Sequence, residues 1–194
     1  MGARDISLKN AYYINLGESK IWVESSIQEG KIRIGWKSIP IKDIQEKNWC
    51  KIQEAIRVEF SEKRKQQTEA NLDDNSSDIS DERRSGAATR DFRMLYTISN
   101  SSAGDIWTCT YDSKFWWCEI KDGEMKEDKI SKYREVSHPW SDKSIPGTVI
   151  AVNQLPENLK KTVKYSATLC KIDSIVSIQQ LLNGQNEIKQ NPET

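Results

Sequence analysis

The stretch "GDIWTCTYDSKFWWCEI", Gly104–Ile120, constrains the fold of this chain more than any other segment. It places three tryptophans, a tyrosine and a phenylalanine in two short runs, in a chain whose aromatic content is 8%. Both runs have the two-residue period of a strand. Ile106, Thr108 and Thr110 alternate with Trp107, Cys109 and Tyr111. Phe115, Trp117 and Glu119 alternate with Trp116, Cys118 and Ile120. The residues "DSK" between them suit a hairpin turn. Neighbours on a strand face opposite ways, so Trp116 and Trp117 cannot fill the same interior. One packs inward, and the other leans on a helix, meets a partner or lines a ligand site.

The flanking sequence predicts a mixed chain. "AYYINL" at Ala11–Leu16 reads as a buried strand that Gly17 ends, and "SKIWVESSIQEG" as a helix stopped by Gly30. "KIRIGW" alternates Ile32 and Ile34 against Lys31 and Arg33, a half-buried strand, with Pro40 in the turn after it. Ile44, Trp49, Ile52, Ile56 and Phe60 recur at helical spacing, as one long amphipathic helix or two short ones. "KISKYREV", "GTVIAVN" and "ATLCKI" read as strands, and "SHPWSD" as a loop. "DSIVSIQQLLNG" is a helix capped by Asp173 or Ser174 and ended by Gly184. About six strands with helices grouped around them predict the α+β class, a small curved sheet or barrel with flanking helices. The expected organisation is one domain over 1–184, a flexible acidic insert at about 69–90 where Ser, Asp and Asn replace any apolar period, and a frayed tail at 185–194.

Charge and motif content exclude several functions. Lys plus Arg equals Asp plus Glu, at 29 each, so the chain is not a uniformly basic nucleic-acid coat, although a local basic face remains open. No phosphate loop or nucleophile elbow occurs. The four cysteines form no CxxC pair, and the single histidine, His138, has none near it, so no metal or other cofactor is expected. Cys109 and Cys118 are expected as buried thiols, although a bridge between neighbouring strands is geometrically open. Glu119 and Lys121 on one strand are the remaining acid–base pair, a weak match to a nuclease site. No membrane span or apolar leader is visible, which predicts a cytoplasmic protein with no membrane partner.

Tryptophan is what remains distinctive, with seven in the chain. Trp36 and Trp140 fall at predicted element ends, where rings project over a sheet mouth and clamp a flat base, or else complete the core. Lys31, Arg33 and Lys37 surround Trp36, and Lys129, Lys132, Arg134, Lys160, Lys161 and Lys164 follow in two further runs. Such cations orient a nucleic-acid backbone, or are ordinary solvated lysines.

The segment "YYINLGESKIWVESSIQEGKIRIGW" resembles the opening of EVE- and YTH-like domains of the PUA superfamily, and more closely the N-terminal reader domains of prokaryotic modification-dependent restriction systems. The matching residues are Gly17 and Glu18, Trp22, Glu29 and Gly30, Ile32, Ile34, Gly35 and Trp36, and "GDIW" at Gly104–Trp107 resembles a later strand of the family. The resemblance implies a PUA-like barrel whose aromatic cage holds a modified base, methylated by expectation, flipped out of DNA or presented by RNA. Trp36 matches one wall of that cage. Trp140, then Trp116, are the expected second wall, with Ser25 and Ser26 as small polar contacts. The implied role is non-enzymatic base recognition in a restriction or antiphage setting, with a separate nuclease or effector subunit as partner. The alternatives are a nucleotide- or nucleic-acid-processing hydrolase and a protein-interaction subunit of a defence complex.

Overall fold

A computed structural model describes residues 8–70, 81–164 and 168–185 of the chain. It is α+β, as expected, with a curled mixed sheet. The chain order begins β1 (Asn10–Ile14), α1 (Val23–Glu29), β2 (Lys31–Ile34), α2 (Ile41–Gln45), α3 (Trp49–Ala70) and α4 (Asp81–Asn100). It continues β3 (Asp105–Tyr111), β4 (Lys114–Ile120), β5 (Lys126–Glu127), β6 (Lys132–Ser141), α5 (Glu157–Val163), β7 (Leu169–Lys171) and α6 (Ile175–Leu182). The strand order is β2-β6-β4-β3-β1-β7, with β5 pairing only with β6. β1 and β3 run parallel, which requires a long crossover between them. The chain divides into two compact units, one of residues 1–33, 102–123 and 135–194, the other of residues 34–101 and 124–134.

In the first unit, the aromatic hairpin β3–β4 is the centre. Its strands pair antiparallel from Ile106↔Glu119 to Tyr111↔Lys114, so the turn is the two residues Asp112 and Ser113, one fewer than expected. Both have positive φ, 49° and 58°, the geometry that matches the twist of a two-residue hairpin. Tyr13, Ile106, Phe115 and Trp117 form the buried face with Leu159 of α5 and Leu181 of α6. α6 starts at Ser174, whose Oγ accepts from the Ser177 amide, and Gly184 follows it with φ 70°, as its sequence predicts. α1 ends at Gly30, also left-handed, again as expected.

The second unit is built on α3 and α4. Trp49 at the start of α3 meets Phe92 and Tyr96 late in α4, so the helices run antiparallel. Ile52 and Ile56 from α3 and Leu95 and Ile98 from α4 are buried. Arg134 is 1% exposed and donates to the carbonyls of Ile98 and Ser99, so a cation closes the C-terminal end of α4.

Three segments differ from the sequence reading. Residues 81–90, expected as part of a flexible insert, form the first half of α4. Within 86–90, the part of this stretch whose burial is described, Ala88 is the buried residue, and small residues leave a weak apolar signal. Residues 71–80 lie outside the described residues. "HPWS" is not a loop but the end of β6, and "GTVIAVN" is not a strand: it makes only the isolated bridges Lys143↔Val149 and Lys114↔Ala151 before a 3-10 turn at Val152–Gln154. The expected tail falls outside the described residues from 186 onward.

Candidate functional site

Most of the tryptophans are consumed by packing. Trp107, Trp117 and Trp140 are 0%, 2% and 6% exposed. Trp107 leans on Tyr12 with ring centres 4.9 Å apart, and Trp117 stacks on His138 at 4.3 Å and 14°. Trp22 lies against Gly17, where an added Cβ would come within 2.9 Å of the indole; with φ at +84°, that position requires glycine. Trp116 is half-buried and donates Nε1 to the Tyr111 carbonyl at 3.3 Å, so the "WW" doublet splits with Trp117 inward.

Trp36 is different, and its backbone shows why. It follows β2 in the left-handed region, φ 70°, while Gly35 before it does not. A bulky residue there is an outlier that the surroundings must hold in place. Two donors do so. The Trp36 carbonyl accepts from the Ile39 amide at 3.2 Å and from Lys132 Nζ at 2.7 Å. The Lys132 side chain is fully buried and also donates to Glu127 Oε1 at 2.8 Å. Glu127 and Lys132 are opposed partners in the β5–β6 ladder, which places their side chains on one face. Asp128 Oδ1 accepts from the amides of Ile130 and Ser131, closing the turn, and Lys37 Nζ reaches the Lys129 carbonyl at 3.4 Å.

The Trp36 ring is half-buried, and Phe60 of α3 covers part of it, with ring centres 6.0 Å apart and a tilt of 43°. That lies within the roughly 4.5–7 Å range of rings in direct contact, so nothing planar fits between these two. Lys37 and Lys129 are exposed beside this turn. Along α3 an open depression of about 550 Å³ is walled by Glu54, Glu59, Glu62 and Lys51 with Val58 and Ser38. Ser38 Oγ donates to Glu59. Three carboxylates outnumber Lys51 in that lining, so the depression disfavours phosphate, whereas the exposed Lys37 and Lys129 attract it.

The other expected site residues have other partners. Trp36, Lys37, Lys129, Lys132 and Arg134 belong to the second unit; the rest belong to the first. Trp140, expected as a second cage wall, is enclosed in β6 and donates Nε1 to the Lys31 carbonyl at 3.0 Å, so its ring serves the fold. Arg33, expected on a phosphate, is 0% exposed and bonds Glu29 Oε2 at 2.7 Å; burial takes it out of reach of a polymer backbone. Lys31 pairs with the same carboxylate at 2.6 Å. Ser25 Oγ donates to the Trp22 carbonyl within α1, and Ser26 Oγ is buried without a hydrogen bond among the described residues. Lys160 pairs with Glu157 at 2.9 Å and holds that carboxyl below its ordinary range, while Lys161 and Lys164 are exposed at the end of α5. Lysines there complement the helix dipole. Sequence reasoning missed Phe60, Glu127 and the burial of Lys132. No local signal marks the last, since "KISKYR" reads as a solvated run.

The acid–base pair suggested by the sequence has other partners, and two of the thiols are buried. Glu119 Oε1 accepts from the Gly104 amide at 3.0 Å, and Lys121 pairs with Glu135 at 3.4 Å. All four cysteines are free. Burial pushes the Cys109 thiol up to about 12 and the Cys118 thiol well above its ordinary value. Among the described residues, no group of His, Cys, Asp or Glu is placed to hold a metal ion, and no helix is long and apolar enough to cross a membrane. No family model, curated protein or solved structure matches the chain.

Proposed function

We propose that this chain is a PUA-like reader that recognises a modified base, in DNA or less favourably in RNA, by stacking it on Trp36. The observation that carries the reading is a tryptophan held at φ 70° with a half-buried ring, beside two exposed lysines. A strained bulky residue persists only where its surroundings hold it, and such residues cluster at ligand sites. Phe60 backs the ring, so the base stacks on Trp36 rather than between these two residues. Lys37 and Lys129 meet the phosphates, and the Glu54, Glu59 and Glu62 wall keeps the backbone to that side. The reader passes its signal to a separate nuclease or effector in a restriction or antiphage setting. Extrusion of a base from duplex costs a few kcal/mol, which stacking and phosphate contacts offset.

The test is a titration with matched oligonucleotides, one carrying a single 5-methylcytosine or N6-methyladenine, the other unmodified. The modified strand binds more tightly, and Trp36→Ala removes that preference by about one to two orders of magnitude, the scale of one lost base–aromatic stack. Equal affinity for every oligonucleotide in the wild type removes the reading. Preserved preference in folded Trp36→Ala moves the site elsewhere.

A further inference from the structure

We infer that Lys132, set by Glu127, is the positioning residue that holds Trp36 in its ligand-ready conformation, an inference that rests on the base-stacking reading for its functional half. Lysine is among the residues least often fully buried, and a buried ammonium persists only where it is paired and hydrogen-bonded. Here the side chain is 0% exposed, and its Nζ has two partners: Glu127 Oε1 at 2.8 Å, which balances the charge, and the Trp36 carbonyl at 2.7 Å. The second bond is to the backbone of the one tryptophan in the left-handed region. It therefore acts on φ and ψ rather than on the indole.

That distinction has consequences. The Ile39 amide also donates to the Trp36 carbonyl, at 3.2 Å, but an amide three residues along is part of the same turn and relaxes with it. Lys132 reaches in from β6, 96 residues away in sequence, and is fixed by its own ladder pairing to Glu127. It is the donor that does not move when the turn relaxes. A charge-assisted bond of this length is about twice as strong as a neutral one. Without it, the residue drifts toward the ordinary φ range, and the ring that follows the backbone leaves its place on Phe60. Glu127 is more accessible, with its side chain 37% exposed, so a group entering beside Trp36 can reach the carboxylate that fixes Lys132.

The experiment uses the full chain labelled with 5-fluorotryptophan, with the Trp36 resonance assigned by its loss in Trp36→Phe. In Lys132→Met, which keeps the stem and removes the donor, the Trp36 ¹⁹F resonance shifts and broadens while those of Trp107, Trp117 and Trp140 stay. Glu127→Gln gives the same change, smaller. In parallel, the affinity ratio for methylated over unmodified oligonucleotide falls about tenfold in Lys132→Met, the order of a displaced stack. A purely structural lysine would weaken both oligonucleotides alike and leave the ratio intact. A Trp36 resonance unmoved in both variants overturns the inference, even where the wild type discriminates. A wild type without discrimination removes the functional reading instead, and the fluorine spectra alone then decide the positioning. Loss of the folded spectrum in both variants makes the pair a scaffold element and also overturns the inference.

Discussion

Trp117 and Trp36 show two ways of holding the same side chain. Trp117 sits within β4, 2% exposed, with its ring stacked on His138 and its Nε1 donating to the Lys143 carbonyl at 2.7 Å. There the indole is fixed and the backbone is outside the left-handed region. At Trp36 the backbone is fixed, at φ 70° by Ile39 and Lys132, and the ring stays half-buried. The first arrangement adds stability through burial and packing. The second costs stability, because a bulky residue in the left-handed region must be held there by its surroundings.

The largest contrast between the two units is in thiol reactivity. Burial pushes the Cys109 thiol from its ordinary 9.0 up to about 12, which lowers its thiolate fraction near neutral pH by about a thousandfold. Cys50, exposed on α3, labels rapidly with a thiol reagent in the native protein, whereas Cys109 and Cys118 label only on unfolding. Mass spectrometry of timed labelling reads this directly, and fast native labelling of Cys109 would show that the sheet unit opens locally. Next in size is the cost of deletion. Trp117→Ala lowers the free energy of unfolding by about 3–5 kcal/mol, the usual range for a core aromatic. Trp36→Ala lowers it by about 1 kcal/mol, the scale of the lost ring contact with Phe60. Equal urea midpoints for the two variants would end the comparison.

The smallest effect is in acid and belongs to the helical unit. Hydrogen bonds from Lys51 and Asn48 hold the Asp43 carboxyl below its ordinary value. A depressed folded value means that the stabilisation is present above the unfolded value of about 3.9 and is lost as pH falls through the folded one. Asp43→Asn is therefore less stable than the wild type at neutral pH, and its thermal midpoint falls less steeply below about pH 4. Parallel acid limbs in the two proteins would show that Asp43 has the same environment folded and unfolded.

Particular elements show what was legible. The β3–β4 hairpin, the end of α1 at Gly30 and the capped α6 read directly, since alternation, a cap and a left-handed glycine are properties of neighbours in sequence. Trp36 was legible as a ring at a strand end, but its positive φ was not, because the adjacent Gly35 is the residue expected to take it. Trp140 was misplaced because proline at position 139 reads as a loop signal; the register of β4 against β6 shifts around Glu119 and admits it.

The amino-acid order alone determined the class of the fold, the hairpin at its centre and the split of the tryptophan doublet. These follow from short-range periodicity and capping, which each segment carries within itself. The tertiary structure decided which rings are enclosed, that Arg33 is a buried ion-pair member, and that Lys132 holds the Trp36 carbonyl. Those outcomes depend on which distant segments meet, and a solvated lysine and a buried one are written with the same letter.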